Sequence, residues 1–525
     1  MNSREKPLIL LQTEASYPYG GGGISTWVHT LCTELEEEAD FILFAVTGQP
    51  NVKLKYELPQ NIRSIIHVPL WGVEQPADYY APQRPFSVTL SAKIRTNDND
   101  VIDSLFLPLF RDLMQGIFNG GHSSPYSEAE IIYGLWKFCT HFDYKTALSH
   151  RKVWAEFKHW IERSYPDDIM DLNVPEINLK HVTFALRWLY HFLMPVDVPL
   201  PDVEVTHSTL AGFPSIPSIV KRYEDGTPAV ITDHGVWLRE RLINIGKEKE
   251  FDYYTKRFLL DLSTFMSRAI YSIADQVSPV TKIHTKWETI SGAEEEKIKP
   301  IYNGIDVDVF RPQPKPDETE GRPTVVAVAH IFPLKDIETM IRSCDIVRRQ
   351  VPDVQYRVYG SMDIDKSYTQ KCKALVEKLD LGDHFIFGGF HQNPSEVYNE
   401  GDVTVLSSIS EGVPYTVLES MSCRRPVIAT DVGGVREAIG EYGYLCKPGE
   451  PGELAQGIIE FLKDDERRIR LGRKARERIL DNFTKERSVN AYLKDYTRWS
   501  SEKLRPLKNE INTESVKAII QYIDG

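Results

Sequence analysis

The stretch Ser410–Glu419, SEGVPYTVLE, follows an apolar run that is typical of a buried strand and opens a segment with helical spacing. The strand is predicted at Asp402–Ser407, the helix at Thr416–Cys423, and a further strand at Val427–Thr430. A loop that opens into a helix presents unpaired backbone N–H groups, which favour an anion such as phosphate. The stretch therefore predicts a strand–loop–helix unit of an α/β fold with a ligand at the strand end.

Two carboxylates, Glu411 in the loop and Glu419 in the helix, stand eight positions apart in this unit. Each can accept hydrogen bonds from hydroxyl groups on one side of a bound phosphate, and a nucleotide-sugar offers its ribose and its hexose in that layout. The alternative is a pair of solvated glutamates at a helix start, where acidic residues are common. The two glutamates alone do not separate these interpretations.

Length and composition limit the classes of protein that the chain can belong to. Its 525 residues are too many for one core and predict two domains with additional segments. A net charge of −13 argues against nucleic acid as a partner. Six scattered cysteines without a Cys-x-x-Cys pair disfavour disulfides and a zinc site. We find no apolar run of membrane-spanning length, so we expect a cytoplasmic protein that reaches the inner face of a membrane only through partners.

Strand-like and helical patterns alternate in two series, which predicts two Rossmann-like domains facing a central cleft. The N-terminal, acceptor-side domain is predicted at residues 1–300 and the nucleotide-sugar domain at residues 301–484. Between about residues 81 and 200, aromatic-rich helical patterns replace the alternation, and we interpret them as a helical insertion. Ordinary helices that cover the sheet are the alternative. Residues 485–525 are predicted to be helical and to cross back to the N-terminal domain.

Three further motifs follow predicted strands. The loop Tyr19–Ser25, YGGGGIS, would let the backbone of Gly22 and Gly23 approach an anion, but it lacks the dinucleotide and P-loop patterns. His234 could donate to a sugar hydroxyl or accept a proton, and Lys335 could serve as a point charge for a diphosphate. A plain turn, a structural histidine and a surface lysine are the respective alternatives. Together the three motifs predict a site for a phosphate ester.

These residues resemble a known family. Glu411–Gly434, EGVPYTVLESMSCRRPVIATDVGG, resembles the donor-site signature of family 4 glycosyltransferases, which are retaining enzymes of the GT-B fold that use nucleotide-activated sugars. Asn303–Asp306 with Phe310 resembles the junction motif of that family. Glu14–His29, EASYPYGGGGISTWVH, and Asp233–Arg241, DHGVWLRER, are similar to the branch of PelF, a cytosolic glycosyltransferase of Pel exopolysaccharide synthesis.

The resemblance implies a role for each matching residue. It gives Glu411 to the hydroxyls of the donor hexose, Glu419 to the ribose and Lys335 to the diphosphate, and it places His234 beside the transferred sugar. The expected donor-binding set is Gly22, Gly23, His330, Lys335, Glu411, Gly412, Pro414, Tyr415, Thr416 and Glu419, the expected catalytic residues are His234, Glu411 and Lys335, and Arg239 and Arg241 are expected phosphate or acceptor contacts.

One position departs from the family pattern, because His330 stands where the family usually has arginine. Histidine lacks the bidentate fork of arginine and is only partly charged near neutral pH. Stabilisation of the departing diphosphate would then depend on Lys335, on backbone amides and on Arg239 or Arg241.

The sequence thus predicts a retaining hexosyltransferase that moves a sugar from a UDP-sugar to a growing exopolysaccharide or a lipid-linked acceptor. UDP-glucose is the first expected donor and UDP-N-acetylglucosamine the second. We identify no clear metal-ligand cluster at a strand end and expect no metal or cofactor. The expected partners are the nucleotide-sugar, the acceptor and a membrane-embedded polysaccharide synthase complex. A catalytically silent subunit that binds nucleotide-sugar or polysaccharide is the alternative, as is a pyridoxal-phosphate-dependent phosphorylase, for which no motif is found.

Overall fold

The computed structural model describes residues 6–73, 85–119, 127–165 and 176–525. The chain divides into two compact units, and each has its own six-stranded sheet. Unit 1 comprises Met1–Pro279, His284–Lys299 and Tyr492–Gly525, and unit 2 comprises Val280–Ile283 and Pro300–Ala491. None of the helices in the described ranges is long and apolar enough to cross a bilayer.

The sheet of unit 1 has the strand order β3-β2-β1-β4-β5-β6, and all neighbouring strands are parallel. The strands are β1 Leu8–Glu14, β2 Asp40–Thr47, β3 Ile62–Pro69, β4 Val205–Ser208, β5 Ala229–Asp233 and β6 Gln276–Pro279. Apart from β3, the strands are buried along almost their whole length, because helices cover both faces of a parallel sheet. The direction of winding reverses between β1 and β4, and a ligand of such a sheet binds outside the carboxyl ends of the strands at that point.

Helices make up most of the remainder of unit 1. They are α1 Gly23–Glu34, α2 Phe86–Thr96, α3 Asn99–Val101, α4 Leu107–Asn119, α5 Ser127–Cys139, α6 Tyr144–Leu148, α7 Arg151–Ser164, α8 Leu179–Phe192, α9 Ile216–Glu224, α10 Trp237–Lys247, α11 Tyr253–Ile273 and α12 Thr285–Ile290. A π-helical turn, Ile102–Phe106, joins α3 to α4.

The helices between β3 and β4 pack through aromatic rings against α11, the long helix that precedes β6. Phe110 of α4, Phe157 of α7 and Phe258 of α11 are fully buried, and their rings form one contact series. Large aromatic side chains contribute much of the apolar area that a core removes from water. The insertion helices and the sheet therefore share one continuous core.

The last helix, α21 Glu514–Asp524, packs against α5 of unit 1. The buried carboxylate of Glu130 accepts hydrogen bonds from the backbone N–H groups of Asn512, at 3.1 Å, and Thr513, at 2.7 Å. A carboxylate at this position satisfies unpaired amides and stabilises the positive end of the helix dipole. Gly134 of α5 lies so close to Val516 that a Cβ there would approach a valine methyl to 2.9 Å.

The sheet of unit 2 has the strand order β12-β11-β10-β7-β8-β9, again parallel throughout. Its strands are β7 Thr324–Val328, β8 Gln355–Tyr359, β9 Phe385–Gly389, β10 Val403–Leu406, β11 Val427–Thr430 and β12 Tyr444–Cys446. The helices are α13 Ile337–Arg348, α14 Lys366–Lys378, α15 Pro394–Glu400, α16 Tyr415–Ser422, α17 Val435–Ile439, α18 Pro451–Lys463 and α19 Asp465–Asn482. The helix α20, Lys485–Ser501, follows them and continues into the residues of unit 1. The predicted α/β class with two Rossmann-like sheets is confirmed.

Candidate functional site

The switch point of the unit 2 sheet lies between β7 and β10, and a charged pair occupies it. Lys335 ends a short 3-10 turn after β7, and its ammonium group forms an ion pair with the Glu411 carboxylate in the loop after β10. The hydroxyl of Ser407 donates to the backbone carbonyl of Lys335 at 2.8 Å, which ties the two loops together. The side chains of Lys335 and Glu411 are 21% and 11% exposed, so neither is a freely solvated surface charge.

The backbone of the Glu411 loop is supported by Gly433 and Gly434. Gly433 has φ +53°, and a Cβ at this position would lie 1.9 Å from the carbonyl oxygen of Glu411. The N–H of Gly434 donates to the carbonyl of Gly412 at 2.7 Å. Only glycine permits both this backbone conformation and this close approach. The two glycines are part of the sequence signature, but their role in holding the loop is visible only in the structure.

The helix α16 starts directly after this loop. Pro414 is its N-cap, and no side chain among the described residues caps its first turn. The backbone amides at Tyr415 and Thr416 and the positive end of the helix dipole are therefore directed towards the loop that carries Glu411. Such an arrangement favours an anion, and the bound anion itself stays a prediction.

Glu419 lies one turn further along α16 and is held by Tyr398. The hydroxyl of Tyr398, a fully buried residue of α15, donates to Oε2 of Glu419 at 2.6 Å. Burial raises the pKa of Glu419 to about 7, and the hydrogen bond from Tyr398 acts in the opposite direction. Glu419 is thus a positioned carboxylate and not a solvated one. Sequence reasoning did not identify Tyr398, because a tyrosine in a short helix belongs to no motif.

His330 follows β7 and is neutral in this setting. The backbone N–H of Ser361 donates to its Nδ1 at 3.1 Å, so the ring proton lies on Nε2. Partial burial of the ring and the positive charge of Lys335 both lower the pKa of His330. His330 therefore offers one N–H group without a charge, where an arginine would offer a charged fork.

In unit 1, the glycine loop leads from β1 into α1. Gly22 is the N-cap of this helix with φ +112°, and a side chain added at Gly21 or Gly22 would meet no atom within 4 Å. At Gly20, by contrast, a Cβ would lie 2.4 Å from the carbonyl oxygen of Ala15. Gly20 is therefore required by close packing, whereas the backbone at Gly22 and Gly23 lies open at a helix start, where an anion can approach it.

His234 lies directly after β5. Its ring packs edge-on against Trp27, with 4.6 Å between the ring centroids. Burial, with a smaller contribution from His284, lowers the pKa of His234 to about 3. A ring with so low a pKa is a poor proton acceptor near neutral pH. Of the two roles that the sequence allowed, the structure favours hydrogen bonding.

Two buried carboxyl groups lie behind His234. Asp233 and Glu288 are fully buried, and burial raises the pKa of both. The negative charge of Asp233 adds to the effect of burial on the pKa of Glu288, so the pair favours a proton on Glu288. Tyr271 donates a hydrogen bond to Asp233. Glu288 lies in a short helix that belongs to no motif, so this pair could not be predicted from local patterns.

Arg241 is engaged in a network at the carboxyl end of β1. It pairs with Glu14 at 2.5 Å and stacks over the Trp237 ring at 4.9 Å. The indole N–H of Trp237 donates to the same carboxylate at 3.0 Å. A phosphate contact from Arg241 would have to displace Glu14, and the phosphate role of Arg239 stays a prediction. In the described ranges, no group of three or more His, Cys, Asp or Glu side chains could hold a metal ion.

Comparison with known proteins places the chain in a family. Residues 7–296, more than half of the chain, match the model of the Domain of unknown function (DUF3492), and residues 310–478 match that of Glycosyl transferases group 1. The chain belongs to the DUF3492 family, and its C-terminal part is a group 1 glycosyltransferase domain. N-acetyl-alpha-D-glucosaminyl L-malate synthase of Bacillus anthracis is 25% identical over 238 residues, which cover 45% of this chain and 60% of that protein. The chain spans 53–62% of the length of the first curated relatives that it matches.

Solved structures share the fold at low sequence identity. Sucrose-phosphate synthase from Thermosynechococcus elongatus has a TM-score of 0.58 at 17% identity, covering 94% of this chain and 99% of that one. HepE from Anabaena, in complex with UDP, has a TM-score of 0.56 at 13% identity, covering 94% and 100%. The predicted GT-B class is therefore confirmed.

Proposed function

We propose that this DUF3492 protein is a retaining glycosyltransferase that transfers a hexose from a UDP-sugar to a growing exopolysaccharide or a lipid-linked acceptor. The observation that carries the proposal is the contact between Lys335 and Glu411 at the switch point of the unit 2 sheet, beside the start of α16. A cation, a carboxylate and the positive end of a helix dipole at one strand edge suit a diphosphate that is flanked by hydroxyl groups. The complex of HepE with UDP supports uridine as the nucleoside.

The donor is proposed to bind along α16. Glu419, held by Tyr398, accepts hydrogen bonds from the ribose hydroxyls. The amides at the start of α16, Lys335 and the Nε2–H of His330 contact the diphosphate, and Glu411 accepts from the hydroxyls of the hexose. Because His330 is neutral, Lys335 is the cation of this set that neutralises the leaving group.

The chemistry is proposed to consist of positioning and of electrostatic stabilisation. The bond between the anomeric carbon and the diphosphate oxygen breaks, and the acceptor hydroxyl oxygen bonds to the same carbon on the same face. The acceptor proton passes to the departing diphosphate oxygen, because the ring of His234 is a poor base. The role of His234 beside the transferred sugar stays what the resemblance implies. The proposed transfer uses no metal and no cofactor.

The biological setting is proposed from the resemblance to the PelF branch. We infer a role in exopolysaccharide synthesis in the cytoplasm, with a membrane-embedded synthase complex as partner at the inner face of the membrane. UDP-glucose remains the first candidate donor. The relative named as an N-acetyl-alpha-D-glucosaminyl L-malate synthase supports UDP-N-acetylglucosamine as the second.

Release of UDP by the purified full-length chain tests the proposal. We expect release from UDP-glucose or UDP-N-acetylglucosamine, with no loss in EDTA, and a decrease on the order of 100-fold in Glu411→Gln. The matched control is Glu477→Gln, an exposed glutamate of α19, which should retain wild-type turnover. If the wild-type chain released no more UDP than Glu411→Gln with any donor and acceptor, the proposal would be wrong. The anomeric configuration of the product, read by NMR, tests retention separately.

A further inference from the structure

A cavity of about 420 Å³ lies in unit 1, away from His234 and the glycine loop. One wall is the segment after β3, which includes Trp71. The other walls come from the insertion helices, with Lys145 and Ser149 at α6 and Arg187, Tyr190 and His191 on α8. A volume of this size is in the range of small-molecule binding sites, which lie between about 300 and 1,000 Å³.

Aromatic rings form much of the cavity wall. The indole of Trp71 lies 3.9 Å from the imidazole of His191 and 4.9 Å from the indole of Trp188, measured between ring centroids. The rings that line the cavity are Trp71, Tyr190 and His191, and Trp188 supports Trp71 from outside the lining. Rings that are fixed by one another provide flat apolar surfaces at a low entropic cost. The apolar face of a pyranose ring matches such a surface.

The polar groups of the cavity are cationic or neutral. The Arg187 guanidinium lies 5.2 Å above the Trp71 ring, and Lys145 lies on the opposite helix. No acidic side chain of the described residues lines the cavity, although the chain carries 75 acidic and 62 basic residues. The Nδ1 atom of His191 is buried without a hydrogen-bond partner among the described residues, and a buried polar group of this kind is costly unless it is paired. The site is therefore built for a ligand with a negative group and a hydrogen-bonding group.

The place of the cavity in the sheet separates it from the candidate catalytic residue. It lies beyond the carboxyl end of β3, the edge strand, whereas the glycine loop follows β1 and His234 follows β5. In the sheet, β1 lies two positions from β3 and β5 lies four positions from it, which corresponds to roughly 10 and 19 Å at the usual strand spacing. The cavity and His234 thus share one edge of the sheet without overlapping.

We propose that this cavity is a second saccharide-binding site, which holds a sugar unit of the acceptor that bears a carboxylate or a phosphate and is remote from the reacting end. The aromatic rings contact the apolar face of that sugar, Arg187 and Lys145 pair with the anion, and His191 and the hydroxyl of Ser149 form hydrogen bonds. Its assignment to the acceptor rests on the proposed function, whereas the binding itself does not require catalysis.

Isothermal titration of the full-length protein tests this proposal with four ligands: trigalacturonic acid, N-acetylglucosamine 6-phosphate, the neutral trisaccharide chitotriose and inorganic phosphate. We expect at least one of the two anionic sugars to bind tenfold or more tightly than both chitotriose and inorganic phosphate. Arg187→Gln and Lys145→Gln should each weaken that binding by about tenfold, as expected for the loss of one charged contact. The matched control is Lys180→Gln, an exposed cation of α8 that lies outside the cavity.

Several results would overturn the assignment. If chitotriose bound as tightly as the anionic sugars, the anion would have no role in binding. If inorganic phosphate bound as tightly as they do, the sugar would have no role. Absence of binding by all four ligands, or equal binding by wild type and Arg187→Gln, removes the site. The UDP-release assay distinguishes this failure from that of the proposed function. Anionic-sugar binding without UDP release leaves the site standing and refutes the transferase, and the reverse result refutes the site alone.

Discussion

Replacing Tyr398 by phenylalanine should shift the pH at which UDP binds tightly. In the wild-type protein, burial places the pKa of Glu419 near 7, and the Tyr398 hydroxyl, 2.6 Å from Oε2, stabilises the ionised form. The ionised carboxylate can accept hydrogen bonds from both ribose hydroxyls, whereas the protonated form carries a proton on one of its two oxygens. UDP affinity should therefore fall as the pH decreases through 7, because the protein must then lose a proton to bind.

The size of the shift follows from the lost hydrogen bond. A hydrogen bond to a charged group contributes about 1.5–3 kcal/mol, and one pKa unit corresponds to about 1.4 kcal/mol. Tyr398→Phe should therefore raise the pKa of Glu419 by about one to two units. At pH 7 the ionised fraction would fall from about half to between about one tenth and one hundredth, and UDP would bind about 5- to 50-fold more weakly. At pH 9 the two proteins should differ by about twofold or less.

Calorimetric titration of UDP between pH 5.5 and 9.5 measures both effects. The control protein is Tyr356→Phe, which alters another fully buried tyrosine of unit 2 whose hydroxyl lies 3.4 Å from that of Ser343. The control ligand is 2′,3′-dideoxy-UDP, which retains the titration of the phosphates but lacks the ribose hydroxyls. The reasoning is refuted if wild type and Tyr398→Phe have the same pH profile, or if the dideoxy ligand shows the same difference between them.

Three further predictions follow from the same two units. Gly433→Ala should lower the melting temperature and abolish UDP release, because φ is +53° and the new Cβ would lie 1.9 Å from a carbonyl oxygen. The control is Gly321→Ala, where φ is +72° and no atom lies within 4 Å of the new Cβ. Equal melting temperatures for the two variants would contradict the clash. The raised pKa values of Asp233 and Glu288 contribute stability at low pH that is lost as the pH rises through them. Glu288→Gln should therefore lose less melting temperature than wild type between pH 6 and 9. Equal losses of melting temperature in the two proteins would exclude a raised pKa of Glu288. His330→Arg should tighten UDP binding about tenfold at low salt, with a smaller gain at high salt, and unchanged affinity would show that His330 lies away from the diphosphate.

Local patterns predicted the elements around the site well. The strand Val403–Leu406 and the start of the following helix agree with the structure to within one residue, because an apolar β-branched run and a helical repeat are properties of neighbouring residues. The three-residue strand Tyr444–Cys446 was missed, since it is too short to show an alternating pattern.

Contacts between distant segments could not be predicted from patterns. Lys335 and Glu411 are 76 positions apart and meet because β7 and β10 are neighbours in the sheet, an order that no local signal contains. The neutral state of His234 depends on burial, and that of His330 depends on burial and on the nearby charge of Lys335. The sequence therefore predicted which residue types surround the candidate site, whereas their charges and partners required the structure.

The charges of the side chains around His330 show what histidine at this position changes for a bound diphosphate. Lys335 is already paired with Glu411, and His330 carries no net charge, so these three side chains together present almost no excess positive charge to a diphosphate. Sugar hydroxyls that donate to Glu411 would weaken its hold on Lys335 and direct the ammonium group towards the phosphate. On the proposed function, the positive charge would then become available only when the hexose is in place. Separating the partly buried Lys335–Glu411 ion pair costs free energy, and only a ligand that binds both side chains compensates for it. A transferase of this kind would therefore discriminate between a complete donor and free UDP at this ion pair.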